Sequence, residues 1–520
     1  MRLLFLLLPL LACRESERPA LYMAPAAAET AAEHAELTIG ELQAGYAAGD
    51  FTVEEVVTGL LERAERLEPT LRAVVAFDAT ALAQARRLDS LAALGRAGGA
   101  LYGVPVYLKD NVELAGALPT TAGARQLAGS RPDRDAAVVE RLRAAGAVVL
   151  GKTNLSEWAN FHSSFSSSGY SAVGGQTANP YDTTRSPCGS SAGSGVAVAA
   201  RYAPLAIGTE TNGSIVCPSH ANGIVGLKPT VGLLSRRGIV PISERQDTPG
   251  PMARTVADVA RALNALQGVD SADARTLAAA AYADRDYTAA LADRGALRGK
   301  RLGLYTAPLG SHYRVDTLVR RAVRRLEAAG ATVVEVGELT RERPGRQTLD
   351  VLLYEFKDGL NAYLRDLGED RPYPDLAAVI ADVDTSRADL AYFDHDLLRQ
   401  ADAKGDLTER DYRRAAADVR RIYGRDGIDR VVREQRLDCL IAPTGGPAWK
   451  IDLVNGDHFS LGSSTPAAVA GYPNLTVPMD QIDGLPVGLS FFGPAWSEPA
   501  LIEVASAWEE LRGPLPGPEL

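Results

Sequence analysis

Residues 136–153 read Ala136-Ala-Val-Val-Glu-Arg-Leu-Arg-Ala-Ala145-Gly146-Ala-Val-Val-Leu150-Gly151-Lys152-Thr153. Ala136 to Ala145 is a helical pattern, Gly146 breaks it, and Ala147 to Leu150 is a short apolar run. Helix, glycine, buried strand is the unit of an α/β protein whose sheet is largely covered. Working upstream, Val104 to Leu108 follows Gly103 as a second buried strand. Thr52 to Leu67 is an amphipathic helix pattern, with Thr52 as N-cap and Glu55 three residues on, the spacing of a capping box. Downstream, residues 163–195 are dominated by Ser, Gly, Thr, Asn and Pro and read as loops. Val196 to Ala200 is apolar, Leu205 to Ile207 is strand-like, and Gly208 to Gly213 is a second loop. Residues 270–430 are charged, Arg-rich and mostly helical in pattern, and 436–510 return to short apolar runs. The expected fold class is α/β, a central mixed β-sheet flanked by helices on both faces. Residues 36–512 form its domain and 270–430 a variable, mostly helical elaboration.

The 520 residues exceed one ordinary domain of roughly 150 residues, although large α/β units break that rule. Apolar residues at 46% and charged residues at 23% exclude a disordered chain, a collagen and a multi-span membrane protein. The net charge of −10 gives no bulk attraction for a polyanion, so no nucleic-acid partner is expected. The four cysteines, Cys13, Cys188, Cys217 and Cys439, suggest neither a disulfide framework nor a zinc pair, and the six histidines show no ligand spacing. No metal site is expected.

Residues 1–13 carry Arg2, an apolar run from Leu3 to Ala12, and Cys13. This is a short signal-peptide pattern, and a span across a bilayer would need about 20 apolar residues. Leu10-Leu-Ala-Cys13 looks like a lipobox, so Cys13 is expected to be lipidated, with plain cleavage or a misassigned start codon as the alternatives. Residues 14–35, rich in Ala, Glu and Pro, read as a flexible tether with an end-to-end distance of about 25 Å. The expected location is periplasmic or cell-envelope, with membrane contact only through that anchor.

Two motifs mislead. Gly146 to Thr153 fits the P-loop pattern, but a phosphate cradle needs its strand before the first glycine, and here the strand lies between the glycines. Gly189-Ser-Ser-Ala-Gly193 fits the nucleophile elbow, but Thr183-Thr-Arg-Ser-Pro187 cannot supply the apolar strand that motif requires.

Three other segments can carry chemistry: Gly103-Val-Pro-Val-Tyr-Leu-Lys109-Asp-Asn111, Ser186-Pro-Cys-Gly-Ser190-Ser191-Ala-Gly-Ser194-Gly195, and Gly208-Thr-Glu-Thr-Asn-Gly-Ser214-Ile-Val-Cys-Pro218. A lysine ending an apolar run either pairs or loses its proton and becomes a base. A Ser/Lys hydrolase needs an attacking serine, a neutral amine to take its proton, and backbone N–H groups facing the oxyanion. The residues alone leave open the plainer reading of two Gly/Ser turns and a salt-bridged lysine.

These segments resemble the amidase-signature family of Ser-cisSer-Lys hydrolases. Gly151-Lys-Thr-Asn-Leu-Ser-Glu157, Gly174-Gly-Gln-Thr-Ala-Asn-Pro180, Gly223-Ile-Val-Gly-Leu-Lys-Pro229, Asp247-Thr-Pro-Gly-Pro-Met-Ala-Arg254 and Gly484-Leu-Pro-Val-Gly488 share the resemblance, which runs from about Leu37 to about Leu511. It implies the amidase-signature fold and a hydrolase that needs no cofactor. Residue by residue, it implies Lys109 as general base, Ser190 as the serine after a cis peptide bond that relays the proton, and Ser214 as nucleophile. The N–H groups of Thr211, Asn212, Gly213 and Ser214 would form the oxyanion hole, and Ser191 would support the network. Lys109 should then titrate well below the usual lysine value of about 10.4.

Cys188 and Ala192 stand where many relatives have glycine, and Val216 stands where many have an arginine. An anionic small substrate is therefore disfavoured. The motifs are most similar to the peptide-amidase branch, which removes the terminal amide of peptides. Other readings are a hydrolase of cyclic or linear amide oligomers or of aryl acylamides, an A-type amidotransferase component, and an inactive surface binding protein. Cys188 and Cys217 are expected to be buried free thiols, with a disulfide between them as the alternative. His162 is read as a structural histidine, with pocket lining as the alternative.

Overall fold

The computed structural model describes residues 34–342, 344–368 and 371–520. The signal-like segment, Cys13 and nearly all of the 14–35 tether lie outside the described residues. Ala35 is already buried against the first helices, so the body begins slightly before residue 36.

Among the described residues thirteen strands occur in chain order: β1 (Val74–Phe77), β2 (Pro105–Lys109), β3 (Val148–Thr153), β4 (Tyr170–Ser171), β5 (Gly175–Gln176), β6 (Leu205–Glu210), β7 (Val225–Lys228), β8 (Thr248–Ala253), β9 (Arg301–Tyr305), β10 (Thr332–Val336), β11 (Cys439–Pro443), β12 (Asn474–Ile482) and β13 (Leu485–Phe492). Eleven form one sheet in the order β1-β3-β2-β6-β8-β7-β12-β13-β11-β9-β10, and β4 and β5 pair separately. The sheet is mixed: β2 runs parallel to β3 and β6, and β9 parallel to β10 and β11, while the other neighbours are antiparallel. The decisive stretch folds as read, with a helix over Ala137–Ala144 and then β3. The Thr52 capping box forms with both reciprocal hydrogen bonds, starting the helix Val53–Leu71.

Residues 270–430 are not helical throughout. They supply β9 and β10, which extend the sheet beyond β11. These strands alternate with the helix Tyr313–Ala328, whose strong amphipathic period dominates the sequence signal. The β12–β13 hairpin turns at Asp483-Gly484, both at positive φ (52° and 78°), as a tight two-residue turn requires.

Strand alternation assigns the two faces. Val106 and Leu108 of β2 and Leu205 and Ile207 of β6 pack into one core, against the helices Val256–Leu266 and Glu498–Arg512. Tyr107 and Ala206 pack into the other, against the helix Ala192–Ala199. Lys109, two residues after Tyr107, shares the second face. The register therefore delivers its side chain to the start of that helix, where Ser190 and Ser191 lie.

Candidate active site

Parallel strands β2 and β6 end side by side, and the loops leaving their C-terminal ends form the crevice where α/β proteins commonly place their sites. Lys109 is 0% exposed. Its Nζ donates to Ser190 Oγ at 2.7 Å, to Thr209 Oγ1 at 2.9 Å and to the Thr209 carbonyl at 3.2 Å. Asn111 Nδ2 donates to the same Thr209 hydroxyl at 2.9 Å, fixing its orientation. Among the described residues no carboxylate touches the ammonium. Burial holds its pKa down to about 7, against the opposing charges of Asp247 and Glu210.

The peptide bond Gly189–Ser190 is cis. Gly189 must be glycine for space, because a Cβ there would run into the Ser156 hydroxyl. The Ser156 N–H donates to the Ser190 carbonyl at 3.0 Å and holds the serine loop against the segment after β3. Ser191 Oγ donates to the Thr209 carbonyl at 3.1 Å and accepts from the Thr209 N–H at 3.2 Å, locking the loop to β6. The Ser191 N–H donates to the Ser214 carbonyl at 3.1 Å.

The loop after β6 is held from inside. Glu210 is buried, and its Oε2 accepts the N–H groups of Ile215 at 2.8 Å and Val216 at 3.0 Å. Thr211 Oγ1 donates to Asp247 Oδ1 at 2.6 Å, and Ser464 Oγ donates to Asn212 Oδ1 at 2.7 Å. Gly213 sits at φ +87°, where an L side chain would be strained. These bonds engage the N–H groups of Ile215 and Val216 and the side chains of Thr211 and Asn212. The N–H groups of Thr211, Asn212, Gly213 and Ser214 have no acceptor among the described residues. Four free donors in one loop can receive a developing oxyanion.

Ser214 is 8% exposed, and its hydroxyl has no partner among the described residues. The structure thus brings Lys109, Ser190 and Ser191 into one network and joins Ser214 to it through the Ser191 backbone. A cavity of about 380 Å³ reaches this centre. It is lined by Gly189 and Gly213, the neighbours of the two serines, and walled by Phe165, Trp449 and Phe459.

One expectation is overturned. Cys188 and Cys217 are not free thiols but a disulfide, with Cα atoms 5.9 Å apart. Their separation of 29 residues gives no sign of this, because the serine loop and the short helix Val216–Ala221 meet only in the folded chain. His162 is buried: its Nδ1 lies 2.9 Å from the Glu157 carbonyl and its ring 5.0 Å from that of His395, away from the cavity lining. Lys152 of the false P-loop is a buried strand residue paired with Asp110 at 3.0 Å. Thr209, Glu210, Asn111 and Asp247 received no role from the sequence. Their only signal is that each lies in a quoted stretch. Among the described residues no group of three or more His, Cys, Asp or Glu side chains could hold a metal ion, and no helix is long and apolar enough to cross a membrane.

A family model described as Amidase matches residues 55–502. The native peptide amidase of Stenotrophomonas maltophilia superposes with a TM-score of 0.89 at 48% identity, covering 94% of this chain and 99% of that one. A probable amidase of Arabidopsis thaliana is 36% identical over 488 residues, 91% of this chain and 90% of that protein. The A-type component of the glutamyl-tRNA(Gln) amidotransferase of Chloroflexus aurantiacus is 36% identical over 501 residues, 91% of this chain and 96% of that protein.

Proposed function

The chain belongs to the amidase family, and on that premise we propose that it hydrolyses the C-terminal amide of peptides to the free acid and ammonia through an acyl-enzyme on Ser214. One observation carries the reading: a fully buried lysine, without a carboxylate partner among the described residues, lies 2.7 Å from the Ser190 hydroxyl, beside a loop whose four N–H groups have no acceptor among them.

In this reading neutral Lys109 takes the Ser190 proton as Ser190 takes that of Ser214. Ser214 Oγ attacks the amide carbonyl, and the oxyanion rests on the N–H groups of residues 211–214. The relay returns a proton to the leaving nitrogen, the C–N bond breaks, and ammonia departs. Water then attacks the ester carbonyl, gives its proton to the same relay, and releases the acid and Ser214.

The peptide-amide substrate class is supported by the 48% identity to a peptide amidase and by the aromatic walls of the cavity. Val216, at the cavity lining, offers no positive charge to a substrate carboxylate. We also propose export with a lipid anchor at Cys13. The N-terminal pattern supports it, and so does the Cys188–Cys217 disulfide, a bond that persists in oxidising compartments.

The test is ammonia release by protein lacking residues 1–33, from C-terminally amidated peptides and from simple aliphatic and aryl amides, beside Ser214→Ala. Release from peptide amides, lost in the variant, is expected. Release only from small or aryl amides would overturn the substrate class. The 36% identity to an A-type amidotransferase component favours a second reading, transfer of ammonia within a tRNA-bound complex. Isolation of the chain with partner proteins and tRNA would support it.

A further inference from the structure

The proposed relay has a gap in its wiring. Lys109 holds Ser190 by a side-chain hydrogen bond, but the Ser214 hydroxyl has no partner among the described residues. Ser190 and Ser214 sit on different loops, so something other than their own hydroxyls must fix their separation. Near the two serines, besides the Ser191–Thr209 bonds and Asn179 Nδ2, which donates to the Ala221 carbonyl at 2.9 Å, three further cross-links join the loops. The Ser191 N–H donates to the Ser214 carbonyl at 3.1 Å, Asn222 Nδ2 donates to the Pro187 carbonyl at 2.9 Å, and the disulfide joins Cys188 to Cys217. Only the last is covalent. Cys188 stands two residues before Ser190, and Cys217 three residues after Ser214.

Two further observations give the bond a purpose beyond packing. Cys188 has φ +58°, a left-handed backbone that favours glycine and strains a residue with a side chain. The position thus keeps a side chain where the backbone would prefer none. Both cysteines also line the catalytic cavity, next to Gly189 and Val216, and pack against Trp449 on its wall.

We infer that the Cys188–Cys217 disulfide is a positioning element of the reaction: it sets the distance from the relay serine to the nucleophile, and breaking it lowers turnover without emptying the substrate site. This rests on the proposed Ser214 mechanism. In the reducing step a dithiol gives two electrons and two protons. The S–S bond breaks, two S–H groups form, and the reductant closes to its own disulfide. Because the pair borders the cavity, a small reductant can approach it.

The experiment compares air-oxidised enzyme, enzyme reduced with dithiothreitol, and Cys188→Ser/Cys217→Ser. Mass spectrometry of alkylated peptides verifies the state of the two sulfurs. Expected is a fall in kcat of about tenfold or more on reduction, as small misplacements of reacting groups bring, with KM changed less than twofold. The acid-limb midpoint of the pH profile stays put, because the Lys109–Ser190 pair is untouched. Reoxidation restores kcat, and the double variant is slow and indifferent to reductant. A purely structural bond would lower thermal stability and leave kcat alone. Equal kcat in enzyme shown to be reduced overturns the proposal. A fluorophosphonate that labels Ser214 reads nucleophile placement without any amide. Equal labelling rates in the two redox states also overturn the proposal, whereas thiol-dependent labelling without amide turnover supports it and overturns only the substrate reading.

Discussion

Lys109 and Lys152 lie in the C-terminal parts of adjacent parallel strands, β2 and β3, and both are fully buried. Their surroundings differ in kind. Lys152 Nζ lies 3.0 Å from Asp110 Oδ1 and donates to the Val112 carbonyl at 2.6 Å and Thr120 Oγ1 at 3.0 Å. Lys109 has two hydroxyls and a carbonyl, and no carboxylate in contact among the described residues. Burial pushes the Lys152 ammonium down and the Asp110 carboxyl up, and each charge draws the other back. For Lys109 the opposing charges of Asp247 and Glu210 act without contact, and burial brings it to about 7. Burial alone does not make a base. The partner decides whether a buried lysine is structural or available for proton transfer.

Removing the two side chains should separate these roles most sharply. Lys109→Met is expected to lower kcat/KM on the order of 10⁴-fold, the scale seen when one member of a catalytic unit is lost, while its melting temperature holds or rises. Lys152→Met leaves Asp110 buried without its cation, a loss of about 3–5 kcal/mol read by denaturant unfolding. Equal destabilisation by both substitutions would break the comparison.

The pH dependence of stability sharpens it further. The folded-state value of Lys109, about 7, lies below its ordinary 10.5, so between these pH values the unfolded chain binds more protons than the native one. Stability should therefore rise with pH across that window. Lys228, lowered by burial to about 8, adds in the same direction over the upper part. In Lys109→Met the rise should be visibly smaller, by thermal melts from pH 7 to 10. A smaller effect is expected from Thr209→Val, which deletes the hydroxyl shared by Lys109 and Asn111. Turnover should fall about tenfold with KM nearly unchanged, one hydrogen bond to a group near the reaction.

Much of this contrast is legible in the chain itself. The apolar run into Lys109, the loop around Ser190 and the loop ending at Ser214 are all readable from local pattern, as is the misfit of the P-loop motif at Lys152. What decides between base and ion pair is not. Asp110 follows Lys109 directly in sequence, yet its carboxylate serves Lys152. Strand alternation sends neighbouring side chains to opposite faces, and only the tertiary register says which lysine each face receives. The pairing of Cys188 with Cys217 is hidden for a related reason, since tertiary approach across 29 residues leaves no periodic trace. Strands β9 and β10 are masked by their neighbour: five-residue strands beside the 16-residue amphipathic helix Tyr313–Ala328 contribute little to the pattern.

The central claim is that a neutral Lys109 drives the Ser190–Ser214 relay, and the pH profile of kcat/KM for ammonia release from a C-terminally amidated peptide tests it most directly. The account predicts a first-power rise through a midpoint near pH 7, a plateau to at least pH 9, and no such limb in the residual activity of Lys109→Met. A rate that stays flat from pH 5 to 9, or begins to rise only near pH 10, would contradict it.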